Sequence, residues 1–426
     1  MSDAISEPTL SELCSLIVDS EHKTAPKDPD GLHPLMRTTD LGPAQGDFSG
    51  AQRVNAATYE LWTRRARPQT DDLILAREAP VGGVCQVPAD VHPVLGQRTV
   101  LLRPQANVDS RFLMYRLAAD DLQARMSEMA TGATVPHLNM ADIRAFKVPD
   151  VPEIGQQRRR AAILGAFDEL TETNERRIEV LEELARSLYR EWFVRFRFPG
   201  SSPPPASGEM PRGWRIVPLG ELCDVIRGRS YRSSELSETE GVLFLNLKCV
   251  GRGGGFRPGG LKRYTGRFKD AQRVTTGDVL VAVTDMTQER RIVAQAFRVP
   301  DLGEPLAIPS LDLVVLSPLI SGLRAYLYAF LRYSGFGDRV RHFANGANVL
   351  HLAVERILEE HFVVPDEQTL AEFTHHIELL LDEGEFLAHA NRRLAAARDL
   401  LLPRLVTGRL DISDIDLGDL LPAEAA

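Results

Sequence analysis

Two histidines are the side chains best suited to acid–base chemistry, because each lies in a short sequence motif that occurs twice in the chain. We call such repeated motifs words. His137 ends Gly-Ala-Thr-Val-Pro-His before a leucine, and His351 ends Gly-Ala-Asn-Val-Leu-His before a leucine. A catalytic base needs a nucleophile or carboxylate placed within its reach. Neither word is accompanied by such a residue at a constant spacing. The pattern therefore favours structural histidines that tie a turn to a strand.

Other catalytic and metal-binding patterns are missing from the sequence. It contains no GxxxxGK[ST] phosphate loop, no HExxH pair, and no Asp-Pro-Pro-Tyr or Asn-Pro-Pro-Tyr run. The glycine-rich stretch 251–255 opens no helix, which indicates a flexible loop and not a nucleotide site. His375 and His376 have no third ligand at metal spacing. The sequence predicts neither a catalytic residue nor a metal site.

Composition excludes several classes of protein. The 426 residues are 43% hydrophobic and 26% charged, which is typical of a folded chain with two or three domains. No long uncharged apolar run predicts a membrane span, and the first residues do not resemble a signal peptide. The four cysteines form no CxxC pair, which excludes a disulfide framework and fits a cytoplasmic protein. They are Cys14, Cys85, Cys223 and Cys249.

The chain is an internal duplication. Four words recur in the same order, with shifts of about 209, 206, 214 and 216 residues. The words begin at Leu10 and Leu219, at Asp72 and Asp278, at Gly132 and Gly346, and at Phe146 and Phe362. Single matches of short apolar words are common, but four in order at nearly constant spacing are not. We therefore predict two copies of one structural unit.

Each copy changes character along its length. Short apolar runs such as 242–247 and 279–283 predict strands, and 112–129 and 323–343 predict short helices. A long helix follows, at about 156–196 in the first copy and after Pro365 in the second, where Pro403 and Gly408 mark its end. We expect the two long helices to pack against each other, antiparallel. The alternative is that each packs on its own globular domain.

A predicted seam runs along each long helix. Apolar residues in the second helix follow alternating steps of three and four, as in a coiled coil. Gly384 and Asn391 occupy the two remaining seam positions, where a buried Asn fixes register at a cost in stability. The predicted seam residues are Ile163, Phe167, Leu170, Leu181, Leu184 and Leu188 in the first helix, and Phe373, Ile377, Leu380, Leu387, Leu394 and Leu401 in the second.

Charge is unevenly distributed in a chain whose formal net charge is −9. Residues 213–300 hold about 15 Lys and Arg against about 9 Asp and Glu, whereas the chain after Glu359 is acidic. The basic residues gather in predicted loops with Tyr, Asn and Thr, and similar loops occur in both copies. Cations neutralise phosphates, and Arg and Asn can recognise guanine and adenine edges. A single cluster is more often a solvated surface, but its duplication favours DNA binding.

Several short sequence motifs, each weak alone, point together to one family: Trp214 to Leu222 with Gly228, Gly277 to Ala282 with Thr284 to Met286, Asp72 to Gly82, Pro152 with Gln157, Tyr189 to Phe193, and Leu405 to Gly408. From Leu10 to about Leu410, the sequence resembles the specificity (S) subunits of type I restriction–modification systems. It departs from the family pattern at Gln156, where the family often has Glu, and before Asp72, where a clear Gly is missing.

The resemblance implies a non-catalytic subunit that recognises DNA. In this family each globular segment is a target-recognition domain for one half of a bipartite site, and the coiled coil sets the spacer. Two modification subunits would carry S-adenosylmethionine, and restriction subunits would use ATP and Mg²⁺. No cofactor is then expected on this chain. The alternatives are a fused or stand-alone DNA-modifying enzyme, and a coiled-coil adaptor without a DNA role.

The predicted fold class is α+β, with two pseudo-symmetric mixed α/β target-recognition domains joined by two long antiparallel coiled-coil helices. The expected segments are a first recognition domain (1–150), a first spacer helix (151–198), a Pro-rich linker (199–212), a second recognition domain (213–365), a second spacer helix (366–408) and an acidic tail (409–426). The predicted DNA-facing residues are Arg64, Arg65, Arg67, Arg77, Arg229, Arg232, Lys248, Arg252, Arg257, Lys262, Arg263 and Arg267.

Overall fold

The computed structural model describes residues 7–132, 135–200 and 210–420. It divides the chain into two compact units: unit 1 contains Met1–Thr173 and Asn391–Ala426, and unit 2 contains Asn174–Ala390. Ala133 and Thr134 of the repeated histidine word lie outside the described residues, as do 201–209 of the predicted linker and 421–426 of the predicted tail. Both units combine helices with strands, which confirms the predicted fold class.

Unit 1 is built on a four-stranded antiparallel sheet with the order β1-β9-β6-β7 and a smaller sheet with the order β5-β2-β8. We call these its principal and second sheets. The strands are β1 (Cys14–Asp19), β2 (His33–Met36), β3 (Leu41–Gly42), β4 (Gln45–Gly46), β5 (Gln52–Val54), β6 (Leu73–Arg77), β7 (Val81–Gln86), β8 (Val94–Leu95) and β9 (Thr99–Pro104). The short helices are α1 (Leu10–Leu13), α2 (Ala56–Trp62), α3 (Ser110–Ala118), α4 (Asp120–Met129) and α5 (Met140–Ala145).

Unit 2 repeats this plan. Its principal sheet has the order β11-β19-β15-β17, and its second sheet has the order β12-β14-β13-β18. The strands are β10 (Arg215–Pro218), β11 (Cys223–Arg227), β12 (Leu236–Ser237), β13 (Val242–Leu245), β14 (Lys262–Tyr264), β15 (Val279–Ala282), β16 (Thr284–Asp285), β17 (Ala296–Arg298), β18 (Ala307–Pro309), β19 (Leu313–Pro318), β20 (Leu350–His351) and β21 (His361–Val364). The long helix α6 (Ile154–Tyr189) precedes them, and the later helices are α7 (Leu323–Tyr333), α8 (Phe336–Val340), α9 (Val354–Leu358) and α10 (Glu367–Val406).

The repeated apolar words form the central strands of the two principal sheets. In β6, Leu73 and Leu75 face one core and Ile74 and Ala76 face another, and all four side chains are buried. The residues of β15 likewise alternate between two cores. Because successive side chains of a strand point to opposite faces, a strand covered on both faces needs a continuous apolar run. The equivalent strand orders confirm the duplication.

The two second sheets differ more than the principal sheets do. Each contains one parallel strand pair, β2 with β8 in unit 1 and β13 with β18 in unit 2. Unit 2 adds the strand β12, which pairs with β14. The duplicated framework therefore carries a different sheet, with different loops, in each copy.

The long helices pack side by side within each unit. In unit 1, Arg398 Nη1 lies 2.7 Å from Asp168 Oδ1, and Asn391 Nδ2 donates to Thr171 O at 3.1 Å. In unit 2, Arg177 Nη2 lies 2.8 Å from Glu383 Oε1. Residues that come later in α6 contact residues that come earlier in α10, so the two helices are antiparallel, as predicted. Helix α10 runs through Pro403 to Val406, within the predicted segment 366–408.

The buried face of α6 differs from the predicted seam at two positions. Leu170 and Leu184 are 48% and 51% exposed, whereas Ala161, Leu164 and Ala185 are buried. The true three-and-four spacing passes through polar Asp168, Thr171 and Asn174, which an apolar pattern overlooks. Other predicted positions are buried (Phe373, Ile377 and Leu387) or half-buried (Ile163, Phe167, Leu181, Leu188, Leu380, Leu394 and Leu401).

An ion-paired carboxyl on α10 makes unit 2 sensitive to pH. Glu385 Oε1 lies 2.9 Å from Arg298 Nη1, and burial raises the pKa of Glu385 from 4.5 to about 7. Because the folded pKa is the higher one, the stabilisation from protonation is largest below pH 4.5 and falls as pH rises to about 7. We expect Glu385→Gln to reduce the change in the free energy of unfolding between pH 4.5 and about 7. Urea titrations at several pH values would measure this change.

The matched control for this prediction is Glu383→Gln, on the same helix and more exposed. It should keep the wild-type dependence on pH. An unchanged slope between pH 4.5 and 7 in Glu385→Gln would contradict the assignment.

Candidate nucleic-acid interface

The predicted cations of unit 2 all lie on its second sheet or on the loops that lead into it. Arg229 and Arg232 follow β11, Lys248 follows β13, and Arg267 follows β14. Arg252 and Arg257 are placed on either side of the glycine-rich turn, and Lys262 and Arg263 belong to β14 itself. The structure therefore gathers the sequence-predicted set around one sheet.

Two of these cations are neutralised within the protein. Lys262 pairs with Glu238, and Arg263 pairs with Glu304. Both acidic partners are distant in sequence, so the local loop composition gave no signal of the pairing. An exposed ion pair offers a phosphate less net charge than a free cation does. Lys262 and Arg263 are thus weaker candidates for DNA contact than the sequence suggested.

Five of the predicted cations of unit 2 are exposed and have no ion-pair partner among the residues that the structure describes: Arg232, Lys248, Arg252, Arg257 and Arg267. Arg232 differs from the others because the Glu235 carboxylate accepts from its backbone N–H. We call the other four the free cation set. Arg229 Nε contacts the Tyr264 hydroxyl at 3.3 Å, so its direction is fixed by the sheet.

The glycine-rich stretch is a hydrogen-bonded turn and not the flexible loop that the sequence suggested. Gly251 N–H donates to Gly255 O at 2.9 Å, and Gly255 N–H donates to Ala296 O at 2.9 Å. Gly254 and Gly255 have φ of +85° and +80°, a conformation that side chains with Cβ seldom adopt. The turn holds Arg252 and Arg257 on a defined backbone, which limits the entropy lost when they contact a ligand.

Unit 1 keeps fewer free cations. Arg65 Nη1 lies 2.8 Å from Asp19 Oδ1, and Arg67 pairs with Glu60. Arg64 is exposed and has no ion-pair partner in the described part of the chain. Arg77 reaches a backbone carbonyl, Leu138 O, at 3.4 Å. Residues 64–67 form one basic cluster in the sequence, but among the described residues Arg64 is the one arginine of the cluster without an ion-pair partner.

The repeated histidines have structural backbone roles. His351 pairs with Thr284 as β20 pairs with β16, and His137 forms the equivalent bridge to Glu78. Each histidine thus ties a hairpin to the end of a principal-sheet strand, as the sequence predicted. In the described residues, no three His, Cys, Asp or Glu side chains gather as a metal site.

The four cysteines are free and buried. Burial raises the pKa of the Cys14, Cys85 and Cys223 thiols to about 12 and that of Cys249 to about 11. These thiols therefore stay protonated and behave as small core residues. Among the described residues, no helix is both long and apolar enough to span a lipid bilayer.

Comparison with known proteins points to one family. The model of the type I restriction modification DNA specificity domain matches residues 63–183. The type I restriction enzyme MjaIX specificity subunit of Methanocaldococcus jannaschii is 22% identical over 354 residues, covering 80% of this chain and 78% of the relative. The MjaVIII specificity subunit of the same organism is 30% identical over 147 residues, 34% of each chain.

A solved structure shares the fold. The S subunit of a type I restriction–modification system from M. genitalium aligns over 95% of this chain and 97% of its own, with a TM-score of 0.58 and 16% identity. Together with the domain match and the relatives, this fold confirms the resemblance that the sequence words indicated. This chain is thus similar over most of its length to specificity subunits of type I restriction–modification systems, and its residues 63–183 match the DNA specificity domain of that family.

Proposed function

We propose that this chain recognises a bipartite DNA site, with the globular part of each unit contacting one half of it. The observation that carries the proposal is the duplicated principal sheet bearing a different second sheet in each copy. A repeated framework can place two similar domains on two half-sites, and different loops can recognise different bases. The unpaired cations on the second sheet of unit 2 supply the attraction to phosphate.

The long helices are proposed to set the spacer between the half-sites. Helix α6 has 36 residues and α10 has 40. At 1.5 Å per residue, they are about 54 and 60 Å long. One turn of duplex is about 34–36 Å, so helices of this length suit half-sites between one and two turns apart.

The chain is proposed to bind modification subunits, and through them to join restriction subunits. A candidate contact lies on the helix pair of unit 2, where Val180, Leu184, Leu379 and Phe386 are exposed apolar residues. Large apolar side chains left exposed on neighbouring helices favour a protein interface when they adjoin one another. S-adenosylmethionine, ATP and Mg²⁺ would be bound by the partner subunits, and this chain would bind none of them.

A paired insertion tests the spacer role. Seven residues inserted after Thr173 in α6, with seven more after Ala390 in α10, preserve the heptad register while lengthening both helices by about 10 Å. We expect the spacer to grow by about three base pairs, at 3.4 Å each, with the half-site bases unchanged. Methylome sequencing of a host that carries the variant and its modification subunits would measure both quantities.

The control is the insertion in α6 alone, which breaks the register and should abolish methylation. Changed half-site bases in the paired variant, or an unchanged spacer, would contradict the proposal.

A further inference from the structure

The hairpins that contain the repeated histidine word are fixed in the same way in both units. Asn345 and His351 exchange two backbone hydrogen bonds of 3.0 and 2.9 Å, and Thr131 and His137 do the same at 3.0 and 2.9 Å. The leucine that follows each histidine donates to the end of the central strand of the principal sheet. These bonds are Leu352 N–H to Val283 O at 2.8 Å and Leu138 N–H to Arg77 O at 2.9 Å.

An arginine reaches each hairpin without meeting a carboxylate. Arg290 Nη2 donates to Ala344 O at 3.3 Å, and Arg77 Nη1 donates to Leu138 O at 3.4 Å. The Nε atoms of both side chains are buried and have no hydrogen-bond partner. Neither arginine has an ion pair in the described residues, and both are partly exposed. Each guanidinium is therefore only partly satisfied and carries an uncompensated charge.

The two arginines come from different backbone positions. Arg77 is the last residue of β6, whereas Arg290 lies in the longer loop after β16. The loop of unit 2 is held by Asp285, which is 1% exposed and accepts from Ile292 N–H at 2.7 Å. Gln288 Nε2 also ties this loop to Ala347 O at 3.0 Å. Loops of different length thus place a guanidinium beside the equivalent hairpin in each unit.

A partly buried guanidinium without a carboxylate has N–H donors left for water or for an external anion, and an anion forms the stronger, charge-assisted hydrogen bonds. The repeated residues of the hairpins lie near the surface: Gly132, Gly346 and His351 are exposed, and His137 is half-buried. Positive φ and close backbone contacts account for the repeated glycines, but core packing does not account for a histidine that is exposed in one copy and half-buried in the other. If the two units recognise different half-sites, an exposed feature common to both suits what the half-sites have in common, which is the sugar–phosphate backbone.

We propose that Arg290 and His351 in unit 2, and Arg77 and His137 in unit 1, form a duplicated anion site that binds a backbone phosphate of DNA irrespective of sequence. This inference rests on the proposed function. It assigns Arg290, which the loop composition had not singled out. It also gives the repeated histidines a role as hydrogen-bond donors to a phosphate, in addition to their structural role.

The test uses the chain assembled with its modification subunits, with affinity measured for target and non-target duplexes across a salt series. Arg290→Ala should weaken both duplexes by the same factor and reduce the salt slope by about 1. Arg77→Ala should do likewise, and the double variant should reduce the slope by about 2. Arg290→Lys, which keeps the charge, should retain most of the slope.

The control is Arg291→Ala, the neighbouring residue, whose guanidinium Nε lies 2.8 Å from Glu289 Oε2. It should leave the slope unchanged. Unchanged affinity and slope in Arg290→Ala would overturn the site, and a loss confined to the target duplex would replace it with a base contact. If the wild-type assembly binds no duplex at all, the proposed function itself fails. Thermal melting of each variant separates loss of folding from loss of binding.

Discussion

Replacing the free cation set (Lys248, Arg252, Arg257 and Arg267) with alanine should weaken binding to target DNA by roughly 100-fold or more near physiological salt. Each neutralised phosphate releases a counterion, so losing four contacts should reduce the salt slope by about 3 to 4. The four side chains are exposed and unpaired in the described residues, which is why they can act on a ligand. Affinity of the assembled complex over a salt series measures both effects.

The matched control is the double variant Lys262→Ala with Arg263→Ala on the same sheet. Because Glu238 and Glu304 already neutralise these cations, we expect a smaller loss for each charge removed. The distinction between free and paired cations would be refuted if the double variant lost as much affinity per charge as the quadruple variant.

Phe373→Ala should produce a large loss of stability in unit 2, about 3–5 kcal/mol. The Phe373 ring is fully buried in α10 and lies 4.7 Å from the ring centre of Phe193, 5.4 Å from that of Tyr326 and 5.6 Å from that of Trp192. Removing it leaves a cavity where both long helices meet the globular part of the unit. Urea titration, followed by tryptophan fluorescence, would measure the loss.

Phe386→Ala is the control on the same helix. Its ring is 65% exposed, so the free energy of unfolding should change by no more than about 0.5 kcal/mol. The same variant should weaken capture of the modification subunit if the exposed apolar residues of the unit 2 helix pair are the partner contact. A large loss of stability in Phe386→Ala, or a small one in Phe373→Ala, would contradict the assigned packing.

The duplication and the long helices could be predicted because their signals are local. The apolar run of β15 and the helical periodicity of α10 depend on residues that are neighbours in sequence. The seam of α6 was predicted less well, since Asp168, Thr171 and Asn174 occupy positions that a search for apolar residues rejects. The structure also breaks the predicted helix 112–129 at Ala119, whose extended backbone ends α3 before α4 begins.

The candidate site was less accessible from sequence because its chemistry depends on distant partners. Whether Arg263 is free depends on Glu304, and whether Arg65 is free depends on Asp19. Composition located the basic loops but could not distinguish neutralised cations from free ones. Arg290 was overlooked for the same reason, since its significance comes from a hairpin about fifty residues later in the chain.

The division of the chain has a consequence for biosynthesis. Unit 2 is one uninterrupted segment inserted into unit 1, whose core includes Leu405, Val406 and Ile412 from the far end of the chain. During translation, all of unit 2 therefore emerges from the ribosome before the last buried residues of unit 1 do. A nascent polypeptide that has emerged from the ribosome only as far as residue 390 would hold all of unit 2 while the core of unit 1 still lacks Leu405, Val406 and Ile412. The portion translated first is thus the portion that matures last.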